Sequence, residues 1–254
     1  MATDETTTQT VPDATSDAAG NVGQNIHADN GRWSFGGRVA DSFEDHIERS
    51  VPYYREGHET IAKISDWFLH PGNTAIELGC STGALTRKLA QWHAGKGVRI
   101  VGLEIEPEMV AAAERSCAGL DGVEIRLDDA LTADLEPADL IASYYTIQFV
   151  PPAKRQDLFN RIYATLNWGG AFLMFEKVRA PDARFQDMMS TLYSDFKLEQ
   201  GFDPAEIVHK TRSLKGVLEP FSTQGNLDMM ARAGFVDVTT VFKHLCFEGF
   251  LAIK

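Results

Sequence analysis

Short apolar strand patterns alternate with amphipathic helix patterns through the middle of this 254-residue chain. Patterns typical of a buried strand occur in five places, at 74–78, 99–103, 123–127, 138–143 and 170–175. Helix patterns lie between them, at 85–92, 107–117 and 153–166. Strands joined through helices by short connections predict crossover units and a parallel sheet.

The C-terminal part of the chain carries a different pattern. Two β-rich runs, 236–242 and 246–253, are separated by only a few residues. That gap is too short for a parallel crossover, so the two runs should pair antiparallel at the edge of the sheet. The sequence therefore predicts an α/β fold with a Rossmann-like, seven-stranded sheet that is mostly parallel and ends in an antiparallel hairpin.

A further helix is predicted over 182–197, between the parallel core and the hairpin. One face of this helix carries an apolar stripe, made of Phe185, Met188, Met189, Leu192 and Phe196. Such a stripe is typical of packing against the core or against a second copy of the chain. A homodimer is therefore the assembly that we expect.

The first 31 residues differ in composition from the rest of the chain. They are rich in Thr, Asp, Ala and Gly, and they carry five acidic and no basic side chains. Such a segment buries too little apolar surface to offset the entropy of ordering it. We therefore expect a disordered tail over 1–31 and a single domain over 32–254.

Charge and cysteine usage narrow the range of partners. The formal net charge is −12, which disfavours a nucleic-acid-binding surface because such a surface needs clustered positive charge. The three cysteines lie far apart and form no CxxC pair, which suits a reducing cytosol. No apolar run is long enough to cross a bilayer, and the N-terminus lacks the features of a secretory signal. We expect a cytoplasmic protein with a small-molecule partner.

The most informative segment is the glycine-containing loop at 77–83, which follows a strand pattern and precedes a helix pattern. Gly79 and Gly83 allow the backbone to approach a ligand closely, and the amides at the helix start face an anionic group. Glu104 ends the next strand, where a carboxylate can accept both hydroxyls of a ribose. Asp129 follows the third strand, in a place suited to an adenine amino group. All of these groups belong at the carboxyl ends of parallel strands, where open α/β sheets bind ligands.

This ordered set resembles class I S-adenosylmethionine-dependent methyltransferases. They share the glycine loop, the acidic end of the second strand, the Asp after the third, and an antiparallel edge formed by strands six and seven. The alternative is an NAD-binding domain. Such a domain normally shows Gly-x-Gly-x-x-Gly, and the third glycine of that pattern is absent here.

A closer resemblance, to the carboxy-S-adenosylmethionine synthase family, covers most of 32–254. It is carried by the stretches 49–54, 79–81, 146–149, 167–170, 176–177 and 195–197. That family converts S-adenosylmethionine and prephenate to a carboxymethyl sulfonium that is used in tRNA wobble-uridine modification. With the glycine loop and the strand ends, the resemblance implies that S-adenosylmethionine is bound by Tyr54, Glu77, Gly79, Cys80, Ser81, Gly83, Glu104, Ile105, Asp129, Ala130 and Tyr144.

Two positions depart from the family's pattern. Tyr144 stands where the family places an asparagine, and an ungapped reading puts Thr211 where the family's arginine grips the extra carboxylate. Arg212 is next in the chain, but one residue turns a helical side chain by about 100°. We infer a methyltransferase acting on a small carboxylate-bearing acceptor, such as a 2-oxo acid. The alternatives are a carboxy-S-adenosylmethionine synthase that uses prephenate and a non-catalytic module that binds an adenosyl ligand.

The candidate catalytic residues follow from this acceptor. Tyr144 lies where donor and acceptor meet in the fold, and Arg212, followed by Lys210 and Lys177, is a candidate to bind the carboxylate. A carbon next to a ketone must lose a proton before methylation, and His209 or His244 can serve as the base. His244, Cys246 and Glu248 alternate along one predicted strand, which gives a weak metal hypothesis. We assign no metal.

Overall fold

The computed structural model describes residues 20–21, 27–28, 31 and 39–254, with side chains from Phe43 onward. Most of the predicted tail lies outside these residues, so its disorder stays a prediction, as does the single domain over 32–254. Within the tail, Gly20–Asn21 pairs antiparallel with His27–Ala28. The Gly31 amide donates to the Arg212 carbonyl over 2.9 Å.

Seven strands form one sheet, as the sequence predicts. They are β1 (Thr74–Leu78), β2 (Arg99–Glu104), β3 (Val123–Leu127), β4 (Ala138–Tyr144), β5 (Leu166–Lys177), β6 (Asp237–His244) and β7 (Phe247–Ile253). The order across the sheet is β3-β2-β1-β4-β5-β7-β6. The first five strands are parallel, and β7 is antiparallel to both β5 and β6.

Eight α-helices lie in the described part of the chain. They are α1 (Val39–Ser50), α2 (Tyr54–Ser65), α3 (Ala84–Trp92), α4 (Pro107–Ser116), α5 (Pro152–Thr165), α6 (Ala183–Glu199), α7 (Pro204–Ser213) and α8 (Thr223–Ala233). None of the helices found between Val39 and Lys254 is long and apolar enough to cross a membrane.

The core consists of two apolar clusters. One includes Phe159 of α5 and Phe172 of β5, whose rings meet edge to face at 5.7 Å. The other contains Ile61 of α2 and Leu89 of α3 together with strand residues. Because parallel strands alternate their side chains between two covered faces, both sets of residues are buried, and each strand reads as a continuous apolar run.

The β6–β7 hairpin overturns the expectation that His244, Cys246 and Glu248 share one strand face. His244 pairs with Phe247, so Leu245 and Cys246 form the turn. Leu245 has a positive φ of 48°, as such a tight turn demands. Glu248 is buried and accepts a hydrogen bond from Thr223 over 2.7 Å. The residues described contain no group of three or more His, Cys, Asp or Glu side chains that could hold a metal ion.

The apolar stripe of α6 is less buried than a core stripe. Phe185, Met188 and Leu192 are 46%, 49% and 45% exposed. These three residues, which we call the α6 outer face, are separated by three and four positions and so lie on one side of the helix. Packing against the core is therefore the wrong interpretation for them, and the homodimer stays a prediction.

Candidate functional site

One cavity of about 980 Å³ lies along the carboxyl ends of β1 to β5. Helices α1, α6 and α7 contribute its walls. Its volume is at the upper end of the roughly 300–1,000 Å³ typical of small-molecule sites. The cavity therefore has room for a nucleoside-sized ligand and a second small molecule.

The loop between β1 and α3 bends sharply over the end of β2. Gly79, Ser81 and Gly83 all have positive φ, of 71°, 50° and 80°. The Cys80 amide donates to the Leu103 carbonyl over 2.8 Å. A Cβ built on Gly79 would lie 2.3 Å from the Thr146 side chain, so only glycine fits between this loop and the segment after β4. The glycine serves close packing as well as a left-handed bend.

Glu104 joins the end of β2 to the glycine loop. Its Oε2 accepts from the Ser81 amide over 2.8 Å, and its Oε1 accepts from the Ile105 and Glu106 amides over 2.8 and 3.0 Å. A carboxylate offers about four acceptor positions. Three are taken, which leaves one for a ligand where the sequence predicted contacts to two ribose hydroxyls.

Asp129 follows β3 and lines the cavity. Its Oδ1 accepts from the Leu131 amide over 2.9 Å, which fixes the carboxylate at the start of the turn. Its carbonyl oxygen accepts from the Thr132 and Ala133 amides. No hydrogen bond from a described residue reaches Oδ2, so this oxygen is able to accept from a ligand.

Glu77 is buried under the same loop, at 3% exposure. Burial raises the pKa of Glu77 to about 8, although a hydrogen bond from the Thr86 hydroxyl acts in the opposite direction. Near neutral pH the side chain is therefore largely a neutral acid. Such a group suits the floor of the cavity, because it holds α3 against β1 without adding a full buried charge.

An aromatic cluster stands at the end of β4. The Tyr144 hydroxyl donates to the Tyr54 carbonyl over 2.6 Å, and the Tyr144 ring packs against those of Tyr54, His58 and Phe175 at 5.1, 4.5 and 5.1 Å. A Cβ on Gly57 would lie 2.0 Å from the Tyr144 hydroxyl oxygen. Burial raises the pKa of Tyr144 well above its usual value, so the phenol stays protonated. Tyr144 is thus a cavity wall that binds α2 to the sheet.

Three lysines line the opposite end of the cavity from Glu104. Lys177 ends β5, Lys197 belongs to α6, and Lys210 belongs to α7. The Nζ atoms of Lys177 and Lys197 lie 4.2 and 4.5 Å from the centroid of the Tyr193 ring. Burial, and then the neighbouring Lys177 ammonium, lower the pKa of Lys197 to about 7. The pKa of Lys210 is lowered well below its usual value for the same two reasons, with Lys197 as the neighbour.

Comparison with known proteins identifies the family of this chain. Residues 75–170 match the model of a methyltransferase domain. The chain is 32% identical to the carboxy-S-adenosyl-L-methionine synthase of Staphylococcus epidermidis over 224 residues, which span 88% of this chain and 97% of that protein. A synthase of the same name from Sulfurimonas denitrificans is 35% identical over 88% of this chain and 95% of its own length. This chain belongs to the carboxy-S-adenosyl-L-methionine synthase family.

Solved structures share the fold. Human N-acetylserotonin methyltransferase in complex with SAM matches with a TM-score of 0.56 at 19% identity, over 86% of this chain and 66% of that chain. A putative O-methyltransferase from Nostoc punctiforme matches with a TM-score of 0.61 at 14% identity, over 85% of this chain and 60% of that chain. With the family, these likenesses identify an S-adenosylmethionine-dependent transferase with a Rossmann-like methyltransferase sheet.

The residues present fit S-adenosylmethionine. Glu104 and Asp129 line the cavity at the ends of neighbouring strands. Asp129 Oδ2 can accept from an adenine amino group, and the remaining acceptor position on Glu104 can accept from one ribose hydroxyl. Of the residues predicted to bind this donor, the cavity is lined by Tyr54, Glu77, Gly79, Cys80, Ser81, Glu104, Ile105, Asp129, Ala130 and Tyr144.

Gly83 is the predicted donor-binding residue that does not line the cavity. A Cβ on Gly83 would lie 3.1 Å from both Cα and Cβ of Ala113, so this glycine allows α3 to pack against α4. Two of the predicted catalytic residues also lie elsewhere. Arg212 is exposed and His209 is absent from the lining, whereas Lys210 and Thr211 both contribute to it. The one-residue offset of Arg212 thus turns its side chain away, and His244, the alternative base, lies outside the lining as well.

Sequence reasoning missed Lys197 and Tyr193 as cavity residues. Both belong to α6, which the apolar stripe had marked only as a packing helix. The sequence did contain a sign of their position. Tyr193 and Lys197 are four residues apart, so they lie on one side of the helix, next to Leu192 and Phe196 of the apolar stripe. A lysine at the edge of an apolar stripe normally extends into solvent, and here α6 covers the cavity and buries it at 8% exposure.

Proposed function

We propose that this chain transfers the methyl group of S-adenosylmethionine to a small carboxylate-bearing acceptor, such as a 2-oxo acid. The observation that carries this proposal is the basic end of the cavity, where Lys177, Lys197 and Lys210 meet. Sheet strands lie about 4.8 Å apart, so β5 and its Lys177 are roughly 14 Å across the sheet from β2 and Glu104. The Glu104 end suits the donor and the basic end suits the acceptor, so the two reactants can meet between them.

The chain contributes position and exclusion of water, the main requirements of an in-line displacement. When bound, S-adenosylmethionine supplies a methyl group on a positively charged sulfur. Glu104 and Asp129 hold the nucleoside, and the lysines hold the acceptor's carboxylate. The rings of Tyr54 and Tyr144 lie between these ends, and aromatic faces suit a cationic centre.

Formation of carboxy-S-adenosylmethionine from prephenate is the second candidate. It is favoured by relatives of that name, 32% and 35% identical over 88% of this chain. Methyl transfer ranks first because both departures from the family's pattern line the cavity. Thr211 offers no cation at the position of the family's arginine, and Tyr144 replaces an amide with a ring.

Mass spectrometry separates the candidates. The full chain, stripped of ligand, is incubated with S-adenosylmethionine and a panel of 2-oxo acids, and separately with prephenate. We expect S-adenosylhomocysteine and an acceptor heavier by one methylene, in reactions without prephenate. Formation of the carboxylated sulfonium from prephenate, with no methylated acceptor, would establish the second candidate. Donor binding without turnover on any acceptor would indicate a binding module.

The proposal includes a cytoplasmic location and no direct nucleic-acid partner. It is supported by the net charge of −12 and by three cysteines that are free and buried. A reducing compartment preserves such thiols. Electrophoretic retention of tRNA by the purified chain at physiological salt would contradict the absence of a nucleic-acid partner.

A further inference from the structure

Tyr145 has a strained backbone conformation at the point where the chain leaves β4. It is the first residue after the strand, it is buried at 6% exposure, and it lines the cavity. Its φ is 59°, in the left-handed region, where the Cβ of an L-residue crowds the following carbonyl oxygen. Such a conformation persists only where the surrounding structure enforces it, and it occurs most often at functional sites. Tyr145 therefore depends on neighbouring groups that hold it in place.

The Tyr145 ring is the middle member of a row of aromatic rings along the cavity. On the donor side it meets the Tyr144 ring with centroids 4.6 Å apart, and Tyr144 meets Tyr54 at 5.1 Å. On the other side it meets the Phe247 ring at 5.7 Å, and Phe247 meets Tyr193 at 5.2 Å. All five residues line the cavity. Tyr145 therefore lies between the nucleoside end and the basic end of the cavity.

The side chain of Gln148 ties this turn to β5. Its Nε2 donates to the Tyr145 carbonyl over 3.1 Å, and its Oε1 accepts from the Lys177 amide over 3.0 Å. The last paired residues of β4 and β5 are Tyr144 and Phe175. Past this pair the backbone of the turn leaves the sheet, and the Gln148 amide bridges the two chains there as a peptide group does within a ladder.

Gln148 is itself buried and held on its backbone. It is 6% exposed, and its carbonyl oxygen accepts from the Arg155 guanidinium and from the Glu219 amide, both over 3.0 Å. On the opposite side of the turn, the Thr146 hydroxyl lies 3.4 Å from the Gly79 carbonyl oxygen. The turn is thus fixed between the glycine loop and the end of β5, with Gln148 as its link to β5.

We propose that Gln148 is a positioning residue for the transfer reaction, because its side-chain amide keeps Tyr145 in the left-handed conformation and so fixes the Tyr145 ring between the donor and the acceptor. This inference rests on the proposed function, in which the two reactants meet along this row of rings. A misplacement of about 1 Å can lower a rate by about 100-fold. Loss of the Gln148 amide should therefore lower kcat much more than it weakens donor binding.

Steady-state kinetics of the full chain test the proposal. The substrates are S-adenosylmethionine and whichever acceptor the wild type uses, a 2-oxo acid or prephenate. Gln148→Met keeps the length of the side chain and removes its amide, and we expect kcat to fall by roughly 10- to 100-fold, with the KM for S-adenosylmethionine within about twofold of the wild type. Gln224→Met, at an exposed position of α8, should keep the wild-type kcat. An unchanged kcat in Gln148→Met, or a loss confined to the KM for S-adenosylmethionine, would overturn the proposal.

Gln148→Glu separates positioning from a general loss of structure. An ionised carboxylate still accepts from the Lys177 amide but cannot donate to the Tyr145 carbonyl, whereas the neutral acid can do both. Burial raises the pKa of such an acid, so it becomes neutral as the pH falls below neutrality. We expect kcat relative to the wild type to be low at pH 8.5 and to recover at pH 5.5. A variant that stays equally impaired at pH 5.5 would contradict the role of the amide, and this test remains open if Gln148→Met fails to fold.

The comparison with the wild type is made at each pH because charged and titratable groups surround this position. They are Glu176 and Lys177 of β5, Arg155 of α5, Tyr145 of the turn, and Glu219 of the segment before α8. Burial raises the pKa of Glu176 to about 8, so this acid also titrates in the range. Its titration is present in both chains, and only the ratio of their kcat values reports on the substituted residue.

Crystal structures with S-adenosylhomocysteine give a readout that needs no turnover. In Gln148→Met we expect the φ of Tyr145 to leave the left-handed region and its ring to leave its place between Tyr144 and Phe247. A wild-type φ and ring position in this variant would show that Gln148 does not hold Tyr145. If the wild type methylates no acceptor, the proposed methyl transfer is wrong, and the structures, with the kinetics on prephenate, still decide whether Gln148 positions Tyr145.

Discussion

At the scale of single residues, Thr211 is the simplest position at which to move this chain toward its relatives. Its side chain lines the cavity, so an arginine there would reach the same space as Lys210. Arginine binds a carboxylate through two parallel hydrogen bonds. We expect Thr211→Arg to raise formation of the carboxylated sulfonium from prephenate by about tenfold or more and to lower methyl transfer.

Mass spectrometry of the carboxylated sulfonium and of the methylated acceptor measures the ratio of the two reactions. Thr211→Gln, similar in reach but uncharged, is the control and should leave the product ratio as in the wild type. An arginine variant with the wild-type ratio would show that Thr211 does not decide between the reactions.

Asp129 is the residue that we expect to recognise the donor's adenine most directly. Hydrogen bonds to a charged group contribute about 1.5–3 kcal/mol, so Asp129→Ala should weaken S-adenosylhomocysteine binding by roughly 10- to 100-fold. Calorimetry gives the affinity, and Asp121→Ala, an exposed change before β3, is the control. Unchanged affinity in Asp129→Ala would exclude Asp129 from the adenosyl site.

Some of the residues that line the cavity could be predicted from the sequence, and others could not. The places of Glu104 and Asp129 were predictable because Glu104 ends β2, Asp129 lies two residues after β3, and strand ends lie together in a parallel sheet. Lys197 was not, because its place depends on how α6 crosses the cavity. Arg212 lies outside the cavity lining, because on α7 the side chains of Lys210 and Thr211 line the cavity and the next residue points to solvent.

At the scale of elements, the five parallel strands were predictable because burial on both faces leaves a continuous apolar run. The hairpin was predicted from its short connection, although the turn at Leu245–Cys246 was not, since a leucine rarely adopts a positive φ. No helix was predicted at α8, and at α7 only Thr211 and Arg212 were treated as helical. Neither helix has a strong apolar repeat in its sequence, and both are held by tertiary contacts with the cavity and the core.

The α6 outer face gives a prediction at this scale. Phe185, Met188 and Leu192 present adjacent apolar side chains, which a second copy of the chain would cover in the predicted homodimer. The double variant Met188→Asp/Leu192→Asp should convert a dimer to a monomer in light scattering. Because these side chains are nearly half exposed, the melting temperature should change by only a few degrees. A wild-type chain that is monomeric at all concentrations would refute the dimer.

At the scale of the whole molecule, buried acids make stability depend on pH. Burial raises the pKa of Glu77 to about 8 from an ordinary value of 4.5, so the folded chain holds this proton more tightly than the unfolded chain. The resulting stabilisation is complete below pH 4.5 and is lost as the pH rises through 8. Glu77→Gln, which cannot ionise, should therefore lose less stability than the wild type between pH 5 and 8, by on the order of 1–3 kcal/mol.

Thermal or denaturant unfolding across that pH range measures the difference. The control is Glu114→Gln, an exposed change on α4, which should follow the wild-type profile. Parallel profiles for the wild type and Glu77→Gln would show that Glu77 is ionised in the folded chain.

The hydrogen bonds from three backbone amides to Glu104 have a consequence for the rate at which the donor associates. The bond from the Ser81 amide ties the end of β2 to the glycine loop, and those from the Ile105 and Glu106 amides fix the carboxylate, so the nucleoside cradle needs no ordering on encounter. Association of the donor should then be a single fast phase whose rate rises linearly with concentration. Glu104→Gln has one acceptor oxygen for the Ser81, Ile105 and Glu106 amides instead of two, so a slow, saturating phase should appear as the loop folds around its ligand.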